Sequence, residues 1–280
     1  MDIIGDIIDW IIQFVINCSG ASAAELKIDN TQLGMISGIW DYFIIVGIGL
    51  TLIYFLYEVN NIFIFQQGSF TLKSMLVPFV KLALAIGLMS QAGHIFGMIA
   101  GWNNGFADFC EGLFTESSEA TGISVGQQIC DSLDFWSKIA MLFPLLLSLL
   151  VTWLCRLVWV YKAFVYKVEL IARLMFGTVA FADVYSGANS NAMKYLRGTL
   201  ALVVYGGLLI VLPKMVVTLA VTDFANYQTE LQNIVANQSG DAATAIFDIV
   251  LGFLKLIVAP VAAIGISGAA KQITKEAFGA

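Results

Sequence analysis

Charge is what this chain has least of. Asp, Glu, Lys and Arg make up 12% of its 280 residues, about half the share of a soluble globular domain. A soluble chain of this length can bury a large core, but it cannot hide repeated apolar runs of twenty or more residues. That excludes the soluble globular class. Histidine is scarcer still: His94 is the only one, so a His-based metal cluster is excluded. The four cysteines, Cys18, Cys110, Cys130 and Cys155, show no metal-ligand spacing. GxxxxGKS/T, HExxH, GxSxG and CxxC are all missing, and with them the usual signatures of nucleotide, zinc, serine-nucleophile and dithiol chemistry. An enzyme would have to work with carboxylates and lysines inside a bilayer, and nothing points to one. No catalysis, cofactor or metal is expected. Fixed-period repeats, low-complexity tracts and Pro- or Ser-rich linkers are also lacking, which implies a single membrane domain over 1–280.

Apolar residues fill the space, at 59% of the chain. The start, MDIIGDIIDWIIQFVINC, has no basic n-region, and Asp interrupts its apolar run, so it does not read as a signal peptide. Asp2, Asp6, Asp9 and Gln13 fall on one helical face, with Ile, Trp and Phe filling the rest. The pattern predicts an amphipathic helix over 1–17 in the membrane interface; the other reading is a short buried helix. An acidic face is repelled by an anionic cytoplasmic leaflet, which favours the outer side.

Hydropathy predicts an all-α polytopic protein with spans at about 36–59, 72–100, 139–160, 198–221 and 245–269. A sixth apolar segment, 161–185, carries Lys162, Lys167, Glu169, Arg173 and Asp183. The net charge of −6 is segregated: 101–137 and 222–244 hold acids without a single Lys or Arg. If 161–185 crosses, Lys194 and Arg197 fall outside and 222–244 falls inside, which breaks the positive-inside bias twice. If it is a re-entrant or interfacial helix, both acidic stretches fall outside. Lys73, Lys162, Lys167, Lys194, Arg197, Lys271 and Lys275 then fall inside. The sequence therefore predicts five crossings in a cytoplasmic membrane, N-terminus outside and C-terminus inside.

Four constellations stand out. Gly93, Gly97, Gly101 and Gly105 recur every four residues, a small-residue face that suits a close helix interface or ordinary packing within one subunit. His94 beside them is either an ion site or a residue at the outer end of its span. Lys81, Lys214 and Lys255 sit inside apolar spans, where a charge costs about 2.5–3.5 kcal/mol on insertion scales. Each lies near a proline (Pro78, Pro213, Pro260) whose freed carbonyl an ammonium could meet. They line a channel or subunit seam, or they form local locks. Lys162, Tyr166, Glu169 and Arg173 share one helical face, which is a cytoplasmic docking face, a buried charge seam or a headgroup contact. Cys110 and Cys130 lie within the first acidic stretch and are either a disulfide pair or two free thiols.

The run RLVWVYK…VELIARLMFGTVAFAD, followed by NAMKYLRGTLA, resembles the TrbL-like polytopic channel subunits of type IV secretion systems, which act in conjugation. Glu169, Arg173, Lys194, Tyr195, Arg197 and Gly198 occupy the motif positions. Gly177-Thr178-Val179-Ala180 stands where the family usually carries a proline-bearing stretch. The resemblance covers about 156–221, and elsewhere it rests on length and layout. It implies a membrane-embedded channel or scaffold subunit that assembles as a homo-oligomer. The implied partners are secretion ATPases, a coupling protein and other subunits of the apparatus, with transient contact to transferred DNA. The acidic stretch 101–137 should repel a phosphate backbone, so it suits a low-affinity lining or a dock for basic proteins. The rival reading is a self-contained secondary transporter or ion channel using Lys81, His94, Lys214 and Lys255; a membrane anchor without a pore is a third.

Overall fold

In the computed structural model, residues 3–65, 72–120, 135–183, 190–236 and 242–279 are described. Among them the fold is all helical: α1 (Ile3–Cys18), α2 (Ala23–Leu26), α3 (Asn30–Phe65), α4 (Leu72–Ser90), α5 (Ala92–Ala120), α6 (Phe135–Phe181), α7 (Asn191–Ala236) and α8 (Ala242–Phe278). A chain in lipid must satisfy its backbone polar groups internally, so apolar runs of this length become helices. Four helices are long and apolar enough to cross a membrane, or five if one bent pair forms a single span. The protein is a polytopic helical membrane protein.

The helices outrun the expected spans. The span at 72–100 is broken at Gln91, where Leu76–Ser90 and Ala92–Leu113 meet at 57°. The first acidic stretch is helical through Ala120, and the second through Ala236; helix propagation is cooperative and acidic residues tolerate it. The remainders, 121–134 and 237–241, lie outside the described residues. The segment 161–185 does not start a helix of its own. Through Phe181 it continues the 139–160 span within α6, because no Gly-Pro break or turn residue interrupts the apolar run at Tyr161. At 47 residues, α6 has a contour of about 70 Å, over twice a hydrocarbon core of about 30 Å.

Contacts group the chain into two compact units. Unit 1 is Met1–Glu25, Ala107–Phe164 and Gly207–Lys271; unit 2 is Leu26–Phe106, Val165–Gly206 and Gln272–Ala280.

Within unit 1, α1 is amphipathic as its acid spacing predicts. Ile11 and Val15, one turn apart, are buried, while Asp6 and Gln13 are exposed. Asp2 lies outside the described residues. Behind α1 the chain turns at Gly20, with φ +102°, and lies against α7. Pro213 has no N–H, so the carbonyl four residues back, Leu209 O, loses its helical donor. Ala21 N–H supplies one at 3.2 Å. The proline-freed carbonyl is met by the N-terminal backbone, where the sequence suggested the Lys214 ammonium.

Gly20 is required twice over at this contact. A Cβ there would lie 3.2 Å from Pro213 Cβ and 3.3 Å from Leu209 O. Gly20→Ala is expected to cost about 2 kcal/mol, since positive-φ strain alone costs roughly 1–3 kcal/mol. Unfolding of the detergent-solubilised protein checks this. Gly34→Ala on α3, where a Cβ meets nothing within 4 Å, is the control that should not lose stability.

Unit 2 is held by rings. Phe96 packs on Trp40 at 5.3 Å and on Phe181 at 6.2 Å, and Phe181 meets Tyr195 at 6.0 Å. Leu170, Leu174 and Met89 complete a fully buried core. By contrast α3 and α4 expose Ile45, Leu56, Phe79 and Val80, the apolar surface expected of lipid-facing helices.

Candidate functional site

Glu169, Arg173 and Tyr195 come together in unit 2, where the end of α6 meets the start of α7. Glu169 and Arg173, one turn apart on α6, form an ion pair at 3.6 Å. The Tyr195 hydroxyl donates to the Arg173 carbonyl at 2.6 Å, tying the first turns of α7 to α6. Asp183 accepts the Asn191 N–H at 3.2 Å, and the Ser190 hydroxyl accepts the Met193 N–H at 3.3 Å, so the N-terminus of α7 is capped by both. Gly177 gives the crossing its room: a Cβ there would lie 2.4 Å from Phe96 and 2.6 Å from the Tyr195 hydroxyl. This explains why the stretch holds glycine, since only a bare backbone admits two rings at that point. Lys194 and Arg197 remain exposed on α7.

The expected charged face of α6 is divided. Glu169 and Arg173 pair with each other, but Lys162 belongs to unit 1. There it donates to the Ile264 carbonyl at 2.9 Å and contacts the Ser267 hydroxyl, both on α8. Its ammonium also lies 5.3 Å from the Trp159 ring. Tyr166 turns inward in unit 2 and donates to Asn103. The face is thus packing surface over much of its length.

The lysines within apolar spans divide between the two units. Lys81 pairs with Glu58 at 2.6 Å in unit 2, and Lys255 pairs with Asp223 at 3.6 Å in unit 1. Lys214 is half-buried on α7 in unit 1, and His94 is exposed on the first turn of α5 in unit 2. Cys110 is a buried free thiol; its expected partner Cys130 lies outside the described residues. A Cβ added at Gly93 would lie 3.5 Å from the Trp40 ring, but Cβ atoms added at Gly97, Gly101 or Gly105 would meet nothing within 4 Å. Over its last three members the glycine row therefore makes no close packing within the described chain.

Two polar anchorages had no counterpart in the expected sites. In unit 1, Arg156 donates to the Gly20 carbonyl at 2.7 Å and to Glu25 at 2.5 Å, while Glu111 accepts the Ala23 N–H at 3.1 Å. In unit 2, Asn104 accepts the Ile28 N–H at 2.9 Å and donates to the Ile28 carbonyl at 3.0 Å. The neighbouring Asn103 donates to the Leu26 carbonyl at 3.0 Å. The Asn104 amide thus pairs with Ile28 as a neighbouring backbone would. Arg156 interrupts an apolar run, the signal that could have flagged it.

Also in unit 2, Ile95, Met98 and Trp102 on α5 and Met193, Arg197 and Leu200 on α7 line one open groove of 330 Å³. In a bilayer these two strips share one depth. An expected span that ends outside at about residue 100, with Arg197 inside, would set them a membrane apart. With Arg197 inside, the outer end of that crossing would lie farther along α5, toward Leu113, where the helix carries Asp108 and Glu111. Comparison with protein families, with curated proteins and with solved structures yields no match.

Proposed function

We propose that the chain is a channel or scaffold subunit of a type IV secretion apparatus, aiding passage of a DNA–protein substrate across a bacterial cytoplasmic membrane. The observation that carries the reading is the VEL…R and KYLRG pair. Glu169, Arg173, Tyr195 and Arg197 stand at the motif positions, and the first three are bonded into one helical crossing. ATP is used by partner ATPases and a coupling protein, since this chain carries no nucleotide motif. The orientation that fits is C-terminus inside, with Lys194, Arg197, Lys271 and Lys275 on the cytoplasmic side. The N-terminus then lies outside, which agrees with Ala23 bonding to Glu111 near the outer end of α5.

Homo-oligomerisation fits the open glycine row, which offers a backbone-close surface to a second copy. The transporter reading gains no support from Lys81 and Lys255, which are held in ion pairs.

Deleting the gene from a conjugative donor is expected to abolish transfer, and the native gene in trans to restore it. Gly97→Leu should keep the monomer's helicity but lose both the oligomer on size exclusion and transfer. A monomeric native protein that moves a small solute across liposomes would overturn the reading.

A further inference from the structure

We propose that the groove between α5 and the first turns of α7 is a binding site for one anionic phospholipid, its acyl chain in the groove and its phosphate on Arg197. The inference rests on the membrane character of the chain and not on its place in a secretion system.

The groove wall is apolar: Ile95, Met98 and Trp102 face Met193 and Leu200, and the charged residue lining it is Arg197. No acid joins the lining, so an anion brought to Arg197 meets no repulsion from the groove itself. Arg197 is exposed as a residue while lining an apolar wall. That is the disposition of a side chain whose stem covers apolar surface and whose head stays polar. Lys194, also exposed, precedes it by one turn of α7 and adds a second positive charge toward the helix N-terminus. Trp102 is 60% exposed at the other wall, as tryptophans are at the membrane interface.

The length of the groove suits an acyl chain. The strips 95–102 and 193–200 each run about 10 Å at 1.5 Å per residue, long enough for the upper part of an acyl chain. Zwitterionic lipid would fill the apolar part equally well, and Arg197 makes the difference in favour of a net negative headgroup.

The full chain in detergent is titrated with dioleoyl phosphatidylglycerol or dioleoyl phosphatidylcholine, and bound lipid is counted by native mass spectrometry. The anionic lipid is expected to be retained about fivefold more strongly, the ratio one basic residue near an anionic surface supplies. Arg197→Gln should lower that preference and Arg197→Lys should keep it. Leu200→Trp, which fills the groove, should lower retention of both lipids with helicity unchanged. Glycerophosphoglycerol, the headgroup without chains, should not compete. Equal retention of the two lipids, an unchanged preference in Arg197→Gln, or full competition by the free headgroup would each overturn the site. So would a disulfide-linked dimer between Met98→Cys and Leu200→Cys copies in a background without native cysteines, since it would assign the groove to a second copy.

Discussion

Replacing Asn103 with leucine is expected to destabilise the protein by about 2–3 kcal/mol, although the site is buried and leucine is the more apolar residue. Asn103 is 2% exposed. Its amide donates to the Leu26 carbonyl, and its carbonyl oxygen accepts the Tyr166 hydroxyl. Leu26 and Tyr166 are themselves fully buried, so neither group can turn to water. Interhelical polar bonds in membranes are worth roughly 0.6–1.7 kcal/mol each, and a buried group left unmatched pushes the loss to the upper end. Leucine restores packing volume but supplies no polar partner. The decisive measurement is a double-mutant cycle read by unfolding in detergent. Tyr166→Phe alone removes the stranded hydroxyl, so combining it with Asn103→Leu should cost less than the two single changes added. Strict additivity would show that the pair is not coupled. The nearby Gly206 is a further check on the geometry: a Cβ there would lie 2.4 Å from the Tyr166 hydroxyl and 2.5 Å from the ring, so Gly206→Ala cannot leave Tyr166 in place.

The all-helical polytopic character was legible because hydropathy and backbone satisfaction are set by composition over twenty residues at a time. The amphipathic face of α1 was legible for the same reason, since Ile11, Val15 and Gln13 report a local periodicity. Helix ends were not. Acidic stretches mark where a span stops because they avoid lipid, yet Asp108 and Glu111 sit within α5: charge sets the preferred solvent of a segment and leaves its backbone state open. The count of five crossings sets 161–185 apart because of its charges, while the backbone of α6 carries on through Tyr161. Tertiary partners were the least legible. Ser19, Ala21, Ala23, Leu26 and Ile28 are all buried, in a stretch with no periodic pattern. Its order comes from Arg156, Glu111, Asn103 and Asn104, residues 76 to 136 positions away in the chain. Pro213 signalled an unfilled carbonyl, but the donor that fills it, the Ala21 N–H, is a backbone group that no residue pattern marks.

That long-range dependence makes Arg156 the second change with a large expected effect. Its guanidinium reaches the Gly20 carbonyl and Glu25 together, and Glu25 also accepts the Ser22 N–H at 3.0 Å. One side chain therefore fixes both ends of a turn between α1 and α2 within unit 1. Both members of the ion pair are about a quarter exposed, at 26% and 25%. Breaking a fully buried pair costs roughly 3–5 kcal/mol, so partial solvation should bring Arg156→Met to about 2–3 kcal/mol. The loss has two parts, an unmatched carboxylate and an unmatched carbonyl. Arg156→Met with Glu25→Gln should recover the first part only. Arg156→Lys should also fall short, because an ammonium is a point charge and lacks the fork that reaches two acceptors. Cys18, two residues before Gly20, gives a local readout. Burial pushes its thiol above the usual range, and the Arg156 charge partly offsets that. Losing Arg156 alone would make Cys18 less acidic and slower to react. If the turn is released, exposure dominates and maleimide labelling of Cys18 becomes faster, in a background where Cys110, Cys130 and Cys155 are serine. Faster labelling together with a lower unfolding midpoint is the expected result for Arg156→Met. Slower labelling at an unchanged midpoint would show that Arg156 tunes the thiol without holding the turn.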